Sequence, residues 1–484
     1  MELSNILQKL NIKTRKKDLT NININNIYLN SKYIKKNSLF ISLTGKKFKS
    51  NNFIKDAINK GSIAVITDSK YKTNIGKVPV IYDNNIKKKL SSLLSFFYNK
   101  IQKNIIAITG TNGKTSVSWY VFQFLSINNI NSSYLGTLGQ FLNGKKVSDL
   151  ENTTPDICSI YNFSQEHYYN GSNTLIFEAS SHGIKQKRFK GLPINVAVLT
   201  NISREHLDYH KNMDSYKKVK FSLFTNHVLN GGKAIINSNI VLPNRVIKKI
   251  KKKFISFVSF GKKNSDIYIS KKRKNYEIKL FKEKYTILMN TKTSYEIRNI
   301  ECAIAILLTI GIKKNKIINT INKLNNPPGR MESCLAMKNG SRVYVDFAHT
   351  PDALKNILIS VRKSNGRKPN LIFGCGGNRD KSKRFKMGKI ASLLANKIYV
   401  TDDNPRNETP SAIRKSIMRG CINAEDIGDR RQAIFKGIKD LRNKEILIIA
   451  GKGHEKFQIY NEKNLPFDDV KEANSIIRKI NAKS

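Results

Sequence analysis

The chain has 484 residues, enough for about three domains. Its apolar content of 39% supports cores of ordinary size, and no stretch reaches the ~20 uninterrupted apolar residues of a membrane helix. Lys and Arg number 87 against 35 Asp and Glu, a formal charge of +52. The basic residues run along the whole chain, with no arginine-rich tail and no aromatics interleaved with basic clusters, so they read as a solvated surface rather than a nucleic-acid footprint.

In chain order, the first 98 or so residues alternate short apolar runs, such as Ser38–Leu43 and Ile63–Ile66, with polar turns, as a small α/β unit would. Met1–Leu10 holds no apolar run of signal-peptide length, so a cytoplasmic protein is expected. The β-branched run Ile105–Thr109 predicts a buried strand, followed by Gly110-Thr111-Asn112-Gly113 and a helix over Lys114–Leu125. Strands are expected again at Thr174–Phe177 and Val196–Leu199, which implies a largely parallel sheet covered on both faces. Pro327-Pro328-Gly329-Arg330 predicts an interdomain connector, because two prolines stop a helix. Beyond it, Val343–Val345, Leu371–Phe373, Lys397–Val400 and Ile446–Ile449 predict a second doubly wound sheet. Five scattered cysteines (Cys158, Cys302, Cys334, Cys375, Cys421) form no CxxC pair and fit free thiols in a reducing compartment.

Strand, glycine turn and helix make the layout of a phosphate cradle. Glycines admit backbone N–H groups to phosphate oxygens, and the helix N-terminus adds its positive dipole end. Lys114 can reach the β/γ-phosphates and the Thr115 hydroxyl can ligate Mg²⁺. The spacing G-x-x-G-K-T is shorter than the general phosphate-loop motif, and a helix start without ligand is the plain alternative. Glu178 closes a strand, where a Mg²⁺ ligand belongs, although position alone also fits a solvated loop acid. His206, in Thr200–His210, could bind metal or phosphate, or neither. In the last third, polar turns around Asp346, Gly374–Asp380, Asp402–Arg406 and Gly451–Glu455 each follow a strand, and open α/β sheets bind ligands at strand C-termini. Asp403 and Arg406 together would suit a zwitterion, one group for an ammonium and the other for a carboxylate.

Taken together these motifs resemble the Mur ligase family of ATP-dependent amide-bond-forming enzymes, over nearly the whole chain and in the same order. The resemblance implies an α/β fold of three domains. These are a small N-terminal domain for a uridine nucleotide (1–98), a central ATPase-like parallel-sheet domain (99–328) and a C-terminal Rossmann-like domain for the amino acid (329–484). It implies that Gly110 to Ser116 (Gly110, Thr111, Asn112, Gly113, Lys114, Thr115, Ser116) binds ATP, with Asn299, Arg330 and Asp346 around the nucleotide. Thr115, Glu178, His206 and Lys220 would serve Mg²⁺, Lys220 as a carbamylated lysine. Asn152, Thr153, Thr154, Ser180, Gln186 and Arg188 would contact a muramoyl dipeptide, and Leu29, Ser31, Lys46, Lys47 and Phe48 its uridine end. Arg379, Asp403, Asn404, Pro405, Arg406, Gly451 and Glu455 match a diaminopimelate pocket, the D-N-P-R form being the one associated with diaminopimelate rather than lysine. Two motifs depart from the usual D-S-R and G-G-D-R-D, reading Asn30-Ser31-Lys32 and Gly376-Gly377-Asn378-Arg379-Asp380.

The implied reaction extends UDP-N-acetylmuramoyl-L-Ala-D-Glu by meso-2,6-diaminopimelate in peptidoglycan precursor synthesis, by a cytoplasmic monomer with neither nucleic acid nor membrane as partner. A lysine-adding sister ligase, a folylpolyglutamate synthetase-like enzyme and a basic nucleotide-binding RNA-binding protein are the alternatives.

Overall fold

Runs of Ile, Val and Leu too short for helices, each bounded by Gly, Asn or Asp, pair as strands buried on both faces. In a computed structural model, which describes residues 1–12, 19, 21–45, 53–70, 75–272, 275–287, 289 and 293–483, they build three main sheets. The first is a four-stranded parallel sheet in the order Asn26–Tyr28, Ser38–Ser42, Ser62–Thr67, Val80–Tyr82. Tyr98 ties it to the next unit: its hydroxyl accepts from Ile27 N at 2.8 Å and donates to Asn162 Oδ1 at 2.5 Å. Asn162 lies on the helix Ile157–Tyr169 and returns a bond to Ile27 O at 2.8 Å.

The central sheet has eleven strands. Its middle is parallel: Ser256–Phe260, Val228–Asn237, Ile194–Leu199, Asn104–Thr109, Thr174–Glu178 and Ser132–Gly136. Asn104–Thr109 therefore sits near the middle, flanked by the two strands whose C-terminal ends carry Glu178 and the Thr200 turn. Helices Lys114–Ile127 and Ser294–Thr309 pack on one face around Ile106, Val121 and Ile304. The other face shares a core with the N-terminal unit, through residues such as Ala107, Phe177 and Leu94.

Both ends of this sheet differ from the parallel expectation. Strands Ser132–Gly136, Gly139–Leu142 and Lys145–Ser148 run antiparallel at one edge. Ile267–Lys272, Asn275–Leu280 and Glu283–Ile287 do so at the other. Alternating polar residues, as in Tyr276-Glu277-Ile278-Lys279-Leu280, are the sign of a strand with one solvated face, which suits an edge hairpin.

The C-terminal sheet has six strands in the order Glu332–Ser333, Arg342–Asp346, Ile446–Ala450, Asn370–Phe373, Ile398–Val400, Glu425–Asp426, all parallel except the first. Apolar clusters cover both of its faces. The four expected polar turns all leave the same edge of this sheet. A separate hairpin, Phe457–Tyr460 with Lys463–Pro466, folds over that edge. The five cysteines are buried and unpaired by disulfides.

Candidate functional site

The phosphate loop is braced before any ligand arrives. Asn112 N donates to Asn201 Oδ1 at 2.8 Å, and the Asn201 amide and Thr200 hydroxyl both donate to Asn112 O, at 2.9 and 2.6 Å. Thr111 Oγ1 accepts from Ser203 N at 2.9 Å and lies 3.1 Å from the Tyr216 hydroxyl. Glycine is required here by space. A Cβ at Gly110 would lie 1.8 Å from Thr200 Oγ1, and one at Gly113, whose φ is +83°, would lie 2.5 Å from Asn299 Oδ1. The loop thus has Asn299 against its own backbone. Lys114 Nζ curls back to the Gly110 and Thr111 carbonyls at 2.9 Å each, so the ammonium is held over the loop. Ser116 follows on the helix, half-buried.

Glu178 is fully buried and surrounded by donors. Thr115 Oγ1 donates to its Oε2 at 3.0 Å, Tyr134 OH to its Oε1 at 2.6 Å, and Thr137 through N at 2.9 Å and through Oγ1 at 3.1 Å. A Cβ at Gly136 would sit 2.3 Å from this carboxylate. The hydroxyl and acid predicted for Mg²⁺ are therefore neighbours, joined by a bond.

His206, in a left-handed turn at φ 55°, has Nε2 at 3.6 Å from Glu205 Oε1 and its ring 4.9 Å from that of His182. Lys220 is buried, with Nζ 3.5 Å from Thr109 Oγ1 and 4.7 Å from the centre of the Tyr216 ring. Burial, then the Lys114 charge, pushes its ammonium well below the ordinary lysine range, against the opposing pull of Glu205. Desolvation thus favours the unprotonated amine.

Glu205 was not singled out from the sequence. Burial pushes its carboxyl up, but His206, Lys114, His349 and Lys220 outweigh this and hold it below the usual carboxylate range. Its neighbour His206 is the only signal the sequence carries, and adjacency does not show that one acid faces four bases. Tyr134 and Thr137 were missed for the same reason: the edge hairpin that delivers them was not foreseen.

Arg330 and Asp346 meet beside the connector. Asp346 Oδ2 accepts from Met331 N and Oδ1 from Ala348 N, both at 2.8 Å, while burial raises its pKa and Arg330 opposes the rise. The Arg330 guanidinium lies 4.6 Å over the Phe347 ring, and its buried Nε has no hydrogen-bond partner among the described residues. An unpartnered buried donor is the observation an anionic ligand would resolve.

Four of the residues predicted for the dipeptide, Thr154, Ser180, Gln186 and Arg188, are joined by hydrogen bonds. Thr154 Oγ1 donates to Glu178 O at 2.7 Å and accepts from Ser180 N at 3.0 Å; Arg188 reaches Thr154 O at 2.5 Å and Gln186 Oε1 at 2.8 Å. Thr153 Oγ1 is 3.2 Å from Thr137 Oγ1, and Asn152 is exposed one residue before it. At the uridine end Ser31 is buried and Leu29 packs on the N-terminal core. Lys32 pairs with Glu151 at 3.3 Å, which brings that end beside Asn152. Lys46, Lys47 and Phe48 lie outside the described residues.

In the C-terminal unit, Arg406 (φ 51°) donates to Gly377 O at 3.1 Å and bonds Ile459 O through its backbone at 2.9 Å, fixing it beneath the hairpin; Pro405 precedes it, buried. Burial and then Arg379 lower the Arg406 pKa, while Asp403 and Glu455 raise it. Two cations and two anions thus share one pocket, with Arg379 on its exposed side. Gly451 (φ +115°) brings its backbone to Asp403, where a Cβ would sit 2.5 Å from Oδ2. Asn404 Nδ2 donates to Glu455 Oε2 at 2.8 Å. Between the two halves, His349 Nε2 stands 3.8 Å from Glu205 Oε1, so the turn after Arg342–Asp346 reaches the turn after Ile194–Leu199.

Among the described residues no cluster of three or more His, Cys, Asp or Glu side chains stands at metal-binding spacing. The oxygen donors present still suit Mg²⁺, which takes one or two carboxylates and fills its remaining positions with phosphate and water. None of the described helices is long and apolar enough to cross a membrane.

Comparison with known proteins agrees with this geometry. Residues 108–307 match the Mur ligase middle domain and 329–453 the Mur ligase glutamate ligase domain. A UDP-N-acetylmuramoyl-L-alanyl-D-glutamate–2,6-diaminopimelate ligase from Rickettsia rickettsii is 37% identical over 94% of this chain and 96% of its own. The enzyme of the same name from Brucella melitensis is 33% identical over 93% of each. A solved structure of a ligase of that name superposes with a TM-score of 0.67 at 26% identity, covering 98% of this chain and 99% of that one. A MurF ligase from Thermotoga maritima in complex with ADP shares the fold, with a TM-score of 0.67 at 17% identity over 96% and 99%. With both family domains matched in order and relatives of 37% identity over nearly its whole length, the chain belongs to the Mur ligase family.

Proposed function

We propose that the protein is an ATP-dependent ligase. It joins meso-2,6-diaminopimelate to the D-glutamyl side-chain carboxylate of UDP-N-acetylmuramoyl-L-Ala-D-Glu. The 37% identity to enzymes of that name over nearly the full chain supports this reading. One observation supports the mechanism: Glu205, the carboxylate that faces Lys114, lies 3.8 Å from His349 of the C-terminal unit. The reading divides the chain at residues 98 and 328 and places the enzyme in the cytoplasm as a monomer.

In the first step the substrate carboxylate attacks the γ-phosphorus of ATP; the bond to the bridging oxygen breaks and ADP leaves, giving an acyl phosphate. In the second, the neutral amine of diaminopimelate attacks the acyl carbon, phosphate departs with the carbon–oxygen electron pair, and the nitrogen gives up a proton. Two anions must approach in the first step, so the work is positioning and charge compensation. Lys114 and the loop N–H groups hold the phosphates, Arg330 and Asp346 the nucleotide, and the Thr154–Ser180–Arg188 chain the dipeptide. Thr115, Glu178, His206 and a carbamylated Lys220 would hold Mg²⁺, which supplies further neutralisation of phosphate charge. Carbamylation needs an unprotonated amine to attack CO₂, with loss of one proton. Burial of Lys220 favours that unprotonated form. Asp403 and Arg406 would grip the ammonium and carboxylate at one end of the amino acid.

The test is phosphate release from ATP with each substrate omitted in turn. Release should require both the muramoyl dipeptide nucleotide and diaminopimelate; equal turnover with lysine would refute the amino-acid assignment.

A further inference from the structure

Lys452 lies between two glycines in left-handed conformations, Gly451 at φ +115° and Gly453 at φ +55°. A Cβ at Gly453 would lie 2.6 Å from Gly329 O and 2.7 Å from Phe347 Cβ. The backbone is thus packed close on both sides, and the lysine side chain is wholly inside, at 0% exposure. An ammonium has three N–H donors and no acceptor, and burying it requires that all three be used. Here they are. Nζ stands 3.1 Å from Asn404 Oδ1, 3.1 Å from Glu455 Oε2 and 2.5 Å from Phe457 O.

These three acceptors come from three segments: the turn after Ile398–Val400, the turn that holds Lys452 itself, and the first strand of the covering hairpin. Asn404 Oδ1 also accepts from Ile459 N at 3.0 Å while its Nδ2 bonds Glu455. Its amide therefore has one orientation, and Glu455 keeps Oε2 within the protein and Oε1 for other use. Ile459 O in turn accepts from Arg406 N. The chain of contacts runs from Lys452 directly to Glu455 and, through Asn404 and Ile459, to the backbone of Arg406.

We propose that Lys452 is a positioning residue of the amino-acid pocket, orienting Asn404 and Glu455 and pinning the hairpin strand that fixes Arg406. It acts through these groups rather than on the substrate. The inference rests on the ligase reading above and deepens it.

The test compares wild type with Lys452→Met in full kinetics for all three substrates. The KM for diaminopimelate should rise about tenfold or more, with kcat and the KM values for ATP and the muramoyl nucleotide within about threefold of wild type. An unchanged KM for diaminopimelate, or an equal rise for all three substrates, overturns the proposal. Should Lys452→Met not fold, Lys452→Gln, which keeps N–H donors at that place without the charge, carries the same measurement. A wild-type KM for diaminopimelate in that variant would also overturn it. Wild-type protein that shows no diaminopimelate-dependent turnover refutes the ligase reading itself, a different outcome from a silent Lys452 substitution in an active enzyme.

Discussion

Glu205, on the turn after a central-sheet strand, and His349, on the turn after a C-terminal-sheet strand, meet across the cleft at 3.8 Å. Glu205 is the carboxylate that Lys114, Lys220 and His206 also face, so a contact between the halves is wired to the nucleotide site. Glu205→Gln keeps the shape and removes the charge. Removing a buried carboxylate that faces the phosphate-loop lysine disturbs the charges that position the phosphates, so kcat should fall about 10- to 100-fold in initial-rate assays. An unchanged kcat would show that the acid is a bystander.

Lys220 is buried, with a weak contact to Thr109 Oγ1 at 3.5 Å. Lys220→Ala should lose activity by about 100-fold or more, since it removes the carbamate that would hold Mg²⁺ at a phosphoryl-transfer site. Formate or acetate should restore part of it by supplying a carboxylate in place of the carbamate. Full activity in the variant, with no response to small carboxylates, would contradict the assignment.

Arg406→Lys retains the charge and loses the planar fork that can take a carboxylate with two bonds. The expected outcome is a KM for diaminopimelate higher by about 10- to 100-fold, equivalent to ~1.4–2.7 kcal/mol. The KM for ATP should stay put. An amino-acid panel run on the same variant shows whether discrimination against lysine falls with it.

His167 predicts an acid limit to stability away from the active site. It is buried, bonds Ser133 Oγ through Nδ1 at 2.9 Å, and burial lowers its pKa from 6.5 to about 4. Between those values the unfolded chain binds the proton and the folded one does not. Its contribution is therefore complete above pH 6.5 and is lost as pH falls toward 4, roughly 3 kcal/mol in all. His167→Asn, which cannot titrate, should show a shallower decline of unfolding free energy across that window in urea titrations. An identical slope would exclude His167 as the cause.

Much of the site was legible from local pattern. Ile105–Thr109 followed by two glycines, Lys114 and an apolar helix is strand, cradle and helix in one continuous stretch, so backbone and chemistry are specified together. Glu178, Asp346, Asp403 and Gly451 were legible too, because each ends or follows an apolar run and parallel strands deliver their C-terminal ends to one edge. Several features depended on contacts between distant segments: the edge hairpin that brings Tyr134 and Thr137 to Glu178, the Asn201 brace on Asn112, the four bases around Glu205, and the burial of Lys452. In a chain with 87 basic residues, nothing local separates Lys220 and Lys452 from the solvated majority. Their distinction is desolvation and the acceptors around them, and a charge loses its water only when the surrounding elements have packed.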